Sequence, residues 1–363
     1  MSVERTVKPL RYLLAGAGVA VLSLMCGSPD LNAQSPSCSP DSCEIVLNRV
    51  VGLPDVAGLS LHGPLAYVIR DGRGRFFARA ANRRQVVVYD ASGKWLSTID
   101  PPSTAPRSWI ALFAGPGGTV VVWTWPDGDS FAIDDRLALV KRPPIPYQPN
   151  FIRDDGSAVV AMNIPTASLA GFPLHLVDKG GNIGGSFGSD TPEYRSDLRL
   201  LIERVAAPAR DDSVWAMPRG RYSLERWNAQ TGKLISRTAI HSNWFKESRT
   251  YPADEFTRPA PIVQSLWEKD GLIWVIVRDA DQKWRAGGPG EAAWTVARMN
   301  ATYDWVVEVI EPRSGDVVAS RRFDGSVVAN PPQDLLASYA QTQAGVANGL
   351  DVFVPQLRQK GKS

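Results

Sequence analysis

Short, almost wholly apolar runs recur along the chain, each entered from a polar turn. Asp71-Gly72-Arg73-Gly74 leads into Arg75-Phe76-Phe77-Ala78, and Pro116-Gly117-Gly118 into Thr119-Val120-Val121-Val122-Trp123. Asp154-Asp155-Gly156 leads into Ser157 to Met162, Asp211-Asp212 into Ser213 to Met217, and Lys269-Asp270-Gly271 into Leu272 to Val277. A second feature alternates with the first: a strand-like stretch ending in an acidic or amide residue, then a tight turn. Its copies are Tyr89-Asp90 to Lys94, Ile133-Asp134-Asp135-Arg136, Val177-Asp178 to Asn182, Trp227-Asn228 to Lys233 and Ile310-Glu311 to Asp316. Asp and Asn side chains bond backbone groups just ahead of them, and Gly accepts positive φ, so both suit hairpin turns. Each pair of features therefore predicts one four-stranded antiparallel unit. Apolar runs without polar alternation are expected of strands buried on both faces.

Units that are apolar on both faces stay folded by stacking on one another, and the repeat period is that of propeller blades. Blades are expected at 61–100, 106–142, 148–188, 201–240 and 262–323. The tail adds Leu335 to Ala340 and Leu350 to Leu357, less than a full blade, and Glu44 to Val51 has strand character without a local partner. The expected fold is all-β: a six-bladed β-propeller of four-stranded antiparallel blades, its ring closed by the N-terminal strand as the outer strand of the sixth. Such closure hides sheet edges. A fivefold ring with loose tails is the alternative. Pro192 to Leu201 and Asp334 to Tyr339 have the character of single helical turns, and the absence of a long amphipathic pattern argues against α/β folds.

The N-terminus changes the picture of location. Arg5, Lys8 and Arg11 precede a charge-free stretch from Tyr12 to Met25, and Ala33 offers a small residue before Gln34. That is the layout of an export signal over 1–33, with an uncleaved anchor as the alternative. Cys26 follows the bulky Met25, a poor setting for lipid attachment. Cleavage leaves Cys38 and Cys43 in a leader over 34–43, where an oxidising compartment permits a local disulfide. The propeller is expected over 44–357, with a disordered tail over 358–363. The location implied is periplasmic or secreted, with no membrane span after cleavage. Net charge is +3, with no basic stripe, which argues against a nucleic-acid partner.

Around the first blade the chain resembles NHL-type propeller repeats. The match runs through Asp71-Gly72-Arg73-Gly74-Arg75-Phe76-Phe77, Asn82 to Asp90, and Ser92-Gly93-Lys94, with Arg79 where the repeat usually has Asp. Trp305 to Gly315, with Ser320-Arg321-Arg322-Phe323, resembles uncharacterised exported six-bladed propellers of bacteria (NHL/TolB-like). The resemblance implies the fold over most of 44–357 and brings no assigned active site. Propellers host enzymes, scaffolds and receptors alike.

In that fold the loops between second and third strands share one face with the links between blades. The long segments of this chain all belong to that class. They carry Arg83 and Arg84, Trp125, Arg219, Arg221 and Tyr222, Trp244, and Trp284 and Arg285, with Trp294 and Arg298 further along. Arg presents forked donors to carboxylate or phosphate, and Trp a stacking surface. The expectation is a binding or scaffold module recognising a small polar or anionic molecule, a glycan or an exported protein. The plain alternative is that the Trp residues cap the core and the Arg residues are solvated.

Catalytic signals are sparse. His62, His175 and His241 fall on different blades, and His175 sits in the apolar run Leu174 to Val177, where a packed, hydrogen-bonded imidazole is expected. The nucleophile-elbow, zincin and phosphate-loop motifs are absent. No metal or cofactor is called for. The enzyme alternative is a metal-dependent hydrolase or lactonase, for which Glu203 and Glu268 are candidates to hold Ca²⁺.

Overall fold

The computed structural model describes residues 38–39, 42–61, 67–81, 84–102, 109–164, 166, 168–189, 194–251, 257–286, 301–324, 327–329, 333–341 and 347–361. The expected signal segment, His62, Arg83, Trp294 and Arg298 lie outside these residues.

Six four-stranded antiparallel sheets form the blades. A long strand, β1 (Cys43–Pro54), comes first. Blade 1 is β2 (Val68–Arg70), β3 (Phe76–Arg79), β4 (Val86–Tyr89) and β5 (Trp95–Ile99). Blade 2 is β6 (Trp109–Ala114), β7 (Val120–Trp125), β8 (Ser130–Ile133) and β9 (Leu139–Arg142). Blade 3 is β10 (Pro149–Ile152), β11 (Ala158–Ala161), β12 (Leu174–Val177) and β13 (Ile183–Phe187). Blade 4 follows a short helix, α1 (Arg199–Ile202), and holds β14 (Arg204–Pro208), β15 (Ser213–Pro218), β16 (Ser223–Asn228) and β17 (Leu234–Ala239). Blade 5 is β18 (Ile262–Lys269), β19 (Leu272–Ala280), β20 (Tyr303–Ile310) and β21 (Val317–Phe323). The sixth sheet is β22 (Val327–Ala329), β23 (Leu336–Gln341) and β24 (Ala347–Gln359), with β1 paired antiparallel along β24 as its outermost strand.

Three details differ from the sequence reading. The sixth blade has an inner strand, Val327–Ala329, too short to stand out before Pro331 and Pro332. Leu336–Gln341 is the strand expected of Leu335 to Ala340, and of the two readings of this stretch the helical turn over Asp334 to Tyr339 is the one that fails, because pairing to β22 and β24 overrides local preference. The last strand runs on to Gln359, past the boundary expected at 357.

One apolar cluster fills each seam between neighbouring blades, including the seam between the sixth and the first. Strand side chains alternate faces, so consecutive residues enter different seams. Phe76 and Ala78 pack toward the sixth blade while Phe77 packs toward the second. Val120 and Val122 join the seam with blade 1, and Val121 and Trp123 the seam with blade 3. This is why the second strands lack polar alternation.

The turns behave as their residues require. Asp90 Oδ1 accepts the N–H groups of Ser92 and Lys94 at 2.8 and 3.0 Å, and Asp134, Asp178, Asn228 and Glu311 do the same in their own turns. Gly315 has φ 78° and lies so close to Ala239 of blade 4 that a Cβ would sit 2.0 Å from its carbonyl oxygen. The Gly315 turn of blade 5 thus sits tight against blade 4, where the Gly315 carbonyl also accepts the His241 N–H at 2.9 Å. Cys38 and Cys43 are disulfide-bonded at the start of β1.

Candidate functional site

The first strands of blades 1 to 5 touch in succession around the axis. At the end of that axis facing the long loops lies a cavity of about 610 Å³. Its size is that of a small-molecule site (~300–1,000 Å³).

An aromatic wall comes from blade 2. Trp123 is buried and donates its indole N–H to the Ile145 carbonyl at 2.8 Å. Trp109 meets Trp123 edge-on at 5.5 Å and stacks with Trp125 at 6.3 Å, an interplanar angle of 21°. The series ends at Trp125, which is 43% exposed. Aromatic burial thus falls from the core to the rim, leaving a ring face open at the mouth.

Polar groups enter from the inner strands. The register of β10 against β11 shifts between Pro149 and Phe151, so Asn150 is an extra, bulged residue. The register of β18 against β19 shifts between Val263 and Ser265, leaving Gln264 in the same situation. Bulges re-aim side chains, and both of these amides line the cavity. Asn150 Oδ1 accepts the Ala161 N–H at 2.9 Å, which leaves its amide NH₂ for the cavity. Ser265, only 8% exposed, lines the same wall, and its Oγ has no hydrogen-bond partner.

The cationic wall comes from blades 4 and 5. Arg219 follows β15 and lines the cavity. Its Nη1 donates to the Val263 carbonyl at 3.3 Å, while its Nε stands 3.6 Å from Glu203, a loose pairing. Glu203 is engaged more closely elsewhere, by Arg199 at 2.6 Å and the Tyr251 hydroxyl at 2.9 Å. Hydrogen bonding to Glu203 raises the Arg199 pKa, and burial raises that of Tyr251.

A register relationship links these positions. The end of the second strand faces the start of the first, at the long-loop face of each blade. Blades 1, 2, 4 and 5 place Arg79, Trp125, Arg219 and Arg278 there, opposite Tyr67, Trp109, Glu203 and Ile262. Arg79, the departure from the NHL pattern, is buried; its Nη1 donates to the Ile110 carbonyl at 3.0 Å and its guanidinium lies 4.7 Å from the Tyr67 ring centroid. Tyr67 in turn lines the cavity.

Of the sequence-derived candidates, Trp125 and Arg219 meet in this cavity. Arg84 is exposed on blade 1. Arg221 pairs with Glu247 at 2.8 Å on the surface. Tyr222 and Trp244 lie in the seam between blades 4 and 5 and both donate to Glu308. Trp284 is half-buried and Arg285 exposed after β19. Sequence reasoning missed Trp109, Asn150, Gln264 and Ser265. The available signal was a polar residue interrupting an apolar inner strand, as Gln264-Ser265 does between Val263 and Leu266.

The carboxylates considered for a metal are placed apart. Glu203 precedes β14 at the long-loop end. Glu268 is near the opposite end of β18, where Arg210 and the Trp215 indole hold it, both at 2.9 Å. Asp281, Asp304 and Asp324 bring oxygens within 4.8 Å of one another. Arg322 bonds one of these three, Asp304, at 2.7 Å, and also the neighbouring Asp279 at 2.5 Å. His175 is fully buried, with Nδ1 2.8 Å from Ser186 Oγ and Nε2 3.1 Å from the Met162 carbonyl. The carbonyl requires Nε2 to carry the proton, so Nδ1 accepts from the serine.

No family model matches the chain, and no curated protein matches it. Many solved structures resemble it, two Bacteroides proteins among them. A member of the DUF4221 family from Bacteroides vulgatus is 10% identical with a TM-score of 0.57, over 88% of this chain and 100% of that one. A Bacteroides fragilis protein predicted to be exported is 9% identical with a TM-score of 0.55, over 90% and 98%. At these identities the likeness concerns architecture. Among the described residues no helix is long and apolar enough to cross a membrane.

Proposed function

We propose that this chain is an exported binding module, periplasmic or secreted, whose axial cavity holds a small polar ring compound of the carbohydrate type. The observation that carries the reading is the pair of bulges that turn Asn150 and Gln264 into one cavity from inner strands of different blades. An amide both donates and accepts, as a sugar hydroxyl does, and so suits hydroxyl pairs. The open face of Trp125 supports it, because a sugar ring presents apolar C–H faces to an aromatic surface while its edge stays polar. Long loops around the mouth supply the setting in which function is usual.

The test is titration of the protein with a panel of mono- and disaccharides, followed by tryptophan fluorescence and calorimetry. Trp125→Ala and Gln264→Ala are each expected to weaken binding about tenfold, the loss of one stacking or hydrogen-bonding contact, while leaving the unfolding midpoint unchanged. A protein that binds no member of the panel, or whose affinity ignores both substitutions, overturns the reading.

A further inference from the structure

The charges around Arg219 are unbalanced. Arg199, Arg219 and Glu203 form one linked group, and Arg199 takes the closer hold on Glu203. Arg278 adds a further positive charge from the adjacent blade. It makes no ion pair among the described residues, its Nε has no hydrogen-bond partner, and its guanidinium lies 4.4 Å from the Tyr303 ring centroid. Burial lowers the Arg278 pKa, and the neighbouring Arg219 charge lowers it further. Arg278 is half-buried, and a cation partly removed from water is stabilised by an anionic group beside it. Arg199 and Arg219 therefore share Glu203, with Arg278 near Arg219, beside a cavity whose lining includes Ser265, whose buried Oγ has no hydrogen-bond partner among the described residues.

We infer that the cavity's ligand is an acidic sugar, its ring against Trp125 and its carboxylate seated between Arg219 and Ser265. The inference rests on the carbohydrate reading above and adds the charge. Arg219 exchanges its loose contact with Glu203 for a forked pair of bonds to the ligand carboxylate, the geometry a guanidinium favours. Ser265 Oγ, buried and unpartnered, donates to the second oxygen once its side chain rotates toward the cavity. Arg278 touches no ligand atom and acts through its field. Asn150 and Gln264, on inner strands of blades 3 and 5, take the ring hydroxyls.

The experiment compares glucuronate and galacturonate with glucose and galactose by calorimetry at low salt. The acids are expected to bind ten- to a hundredfold more tightly than their neutral counterparts, the value of one charged hydrogen-bonded pair. Arg219→Gln brings the ratio of acid to neutral-sugar affinity down to about one, whatever its effect on the neutral sugars themselves. Arg219→Lys keeps the charge without the fork and retains part of the preference. Ser265→Ala weakens acid binding several-fold, and Arg358→Gln, a remote surface change, alters neither. Equal affinity of acids and neutral sugars for the native protein overturns this inference and leaves the carbohydrate reading standing. An acid preference that survives Arg219→Gln overturns the role given to Arg219. Absence of binding by both classes overturns both proposals.

Discussion

The Tyr222 hydroxyl donates to Glu308 across 2.5 Å, joining the long-loop edge of blade 4 to the middle of blade 5. Glu308 also accepts from the Trp244 indole at 2.8 Å and from Ser320 at 3.0 Å. Tyr222 stacks on Phe245 at 4.6 Å. Three donors on one buried carboxylate make this a seam fastening, with each removal leaving a charge less well served.

Tyr222→Phe is therefore expected to cost about 1–3 kcal/mol in urea unfolding, the loss of a charged hydrogen bond. A pH signature accompanies it. Burial, then the Glu308 charge, raises the Tyr222 pKa well above its ordinary value. Above about pH 10 the unfolded chain releases a proton that the native chain keeps, so stability falls as pH rises. The variant should show a shallower alkaline decline than the native protein between pH 9 and about 11.

His175 predicts the opposite limb. Burial lowers its pKa, so the native imidazole stays neutral while the unfolded one charges below about pH 6.5. The unfolded chain then binds more protons, and stability falls as pH falls, by up to about 1.4 kcal/mol per pH unit. His175→Gln should flatten this part of the acid decline when unfolding midpoints are compared from pH 7 to about 5.

Two glycines separate conformational strain from close approach. Gly271 has φ 77° with nothing near a Cβ, and Gly315 has φ 78° with a backbone oxygen 2.0 Å from that position. Gly271→Ala is expected to cost about 1–2 kcal/mol, the left-handed penalty alone. Gly315→Ala should cost clearly more, since blade 4 must shift to admit the methyl. Denaturant midpoints of the two variants decide this, and equal losses would mean the seam yields freely.

Arg204 and Glu225 form a buried pair at 3.0 Å, with exposures of 8% and 2%. The Trp227 indole and Arg237 bond the same carboxylate at 3.0 and 3.3 Å. Glu225→Gln leaves Arg204 without its counter-charge in a place water does not reach. The expected loss is about 3–5 kcal/mol, read from chemical unfolding. A loss below about 1 kcal/mol would show that carbonyls of Leu201 and Ile202 suffice for the guanidinium.

The blade pattern was legible because its causes are local. A run such as Val120-Val121-Val122 announces burial on two sides, and Asp90 or Asp178 writes its own turn through bonds to residues two and four ahead. The inner strand of the sixth blade was missed because three residues before a proline pair carry too little pattern. Among the candidate residues, type alone placed Trp125 and Arg219 beside Tyr222 and Arg221, although only the first two line the cavity.

Local chemistry along the chain determined the four-stranded unit, its repetition and the face on which the long loops gather, since each follows from side-chain alternation and turn residues within a few positions. Tertiary structure alone decided which polar groups converge. Asn150 and Gln264 line one cavity because each strand gains one residue against its partner, a shift that depends on the paired strand and is marked in its own sequence only by a polar residue among apolar ones. Arg219 keeps only a loose hold on Glu203 because folding gives that carboxylate a closer partner in Arg199, and Arg278 reaches the neighbouring blade corner without an ion pair among the described residues.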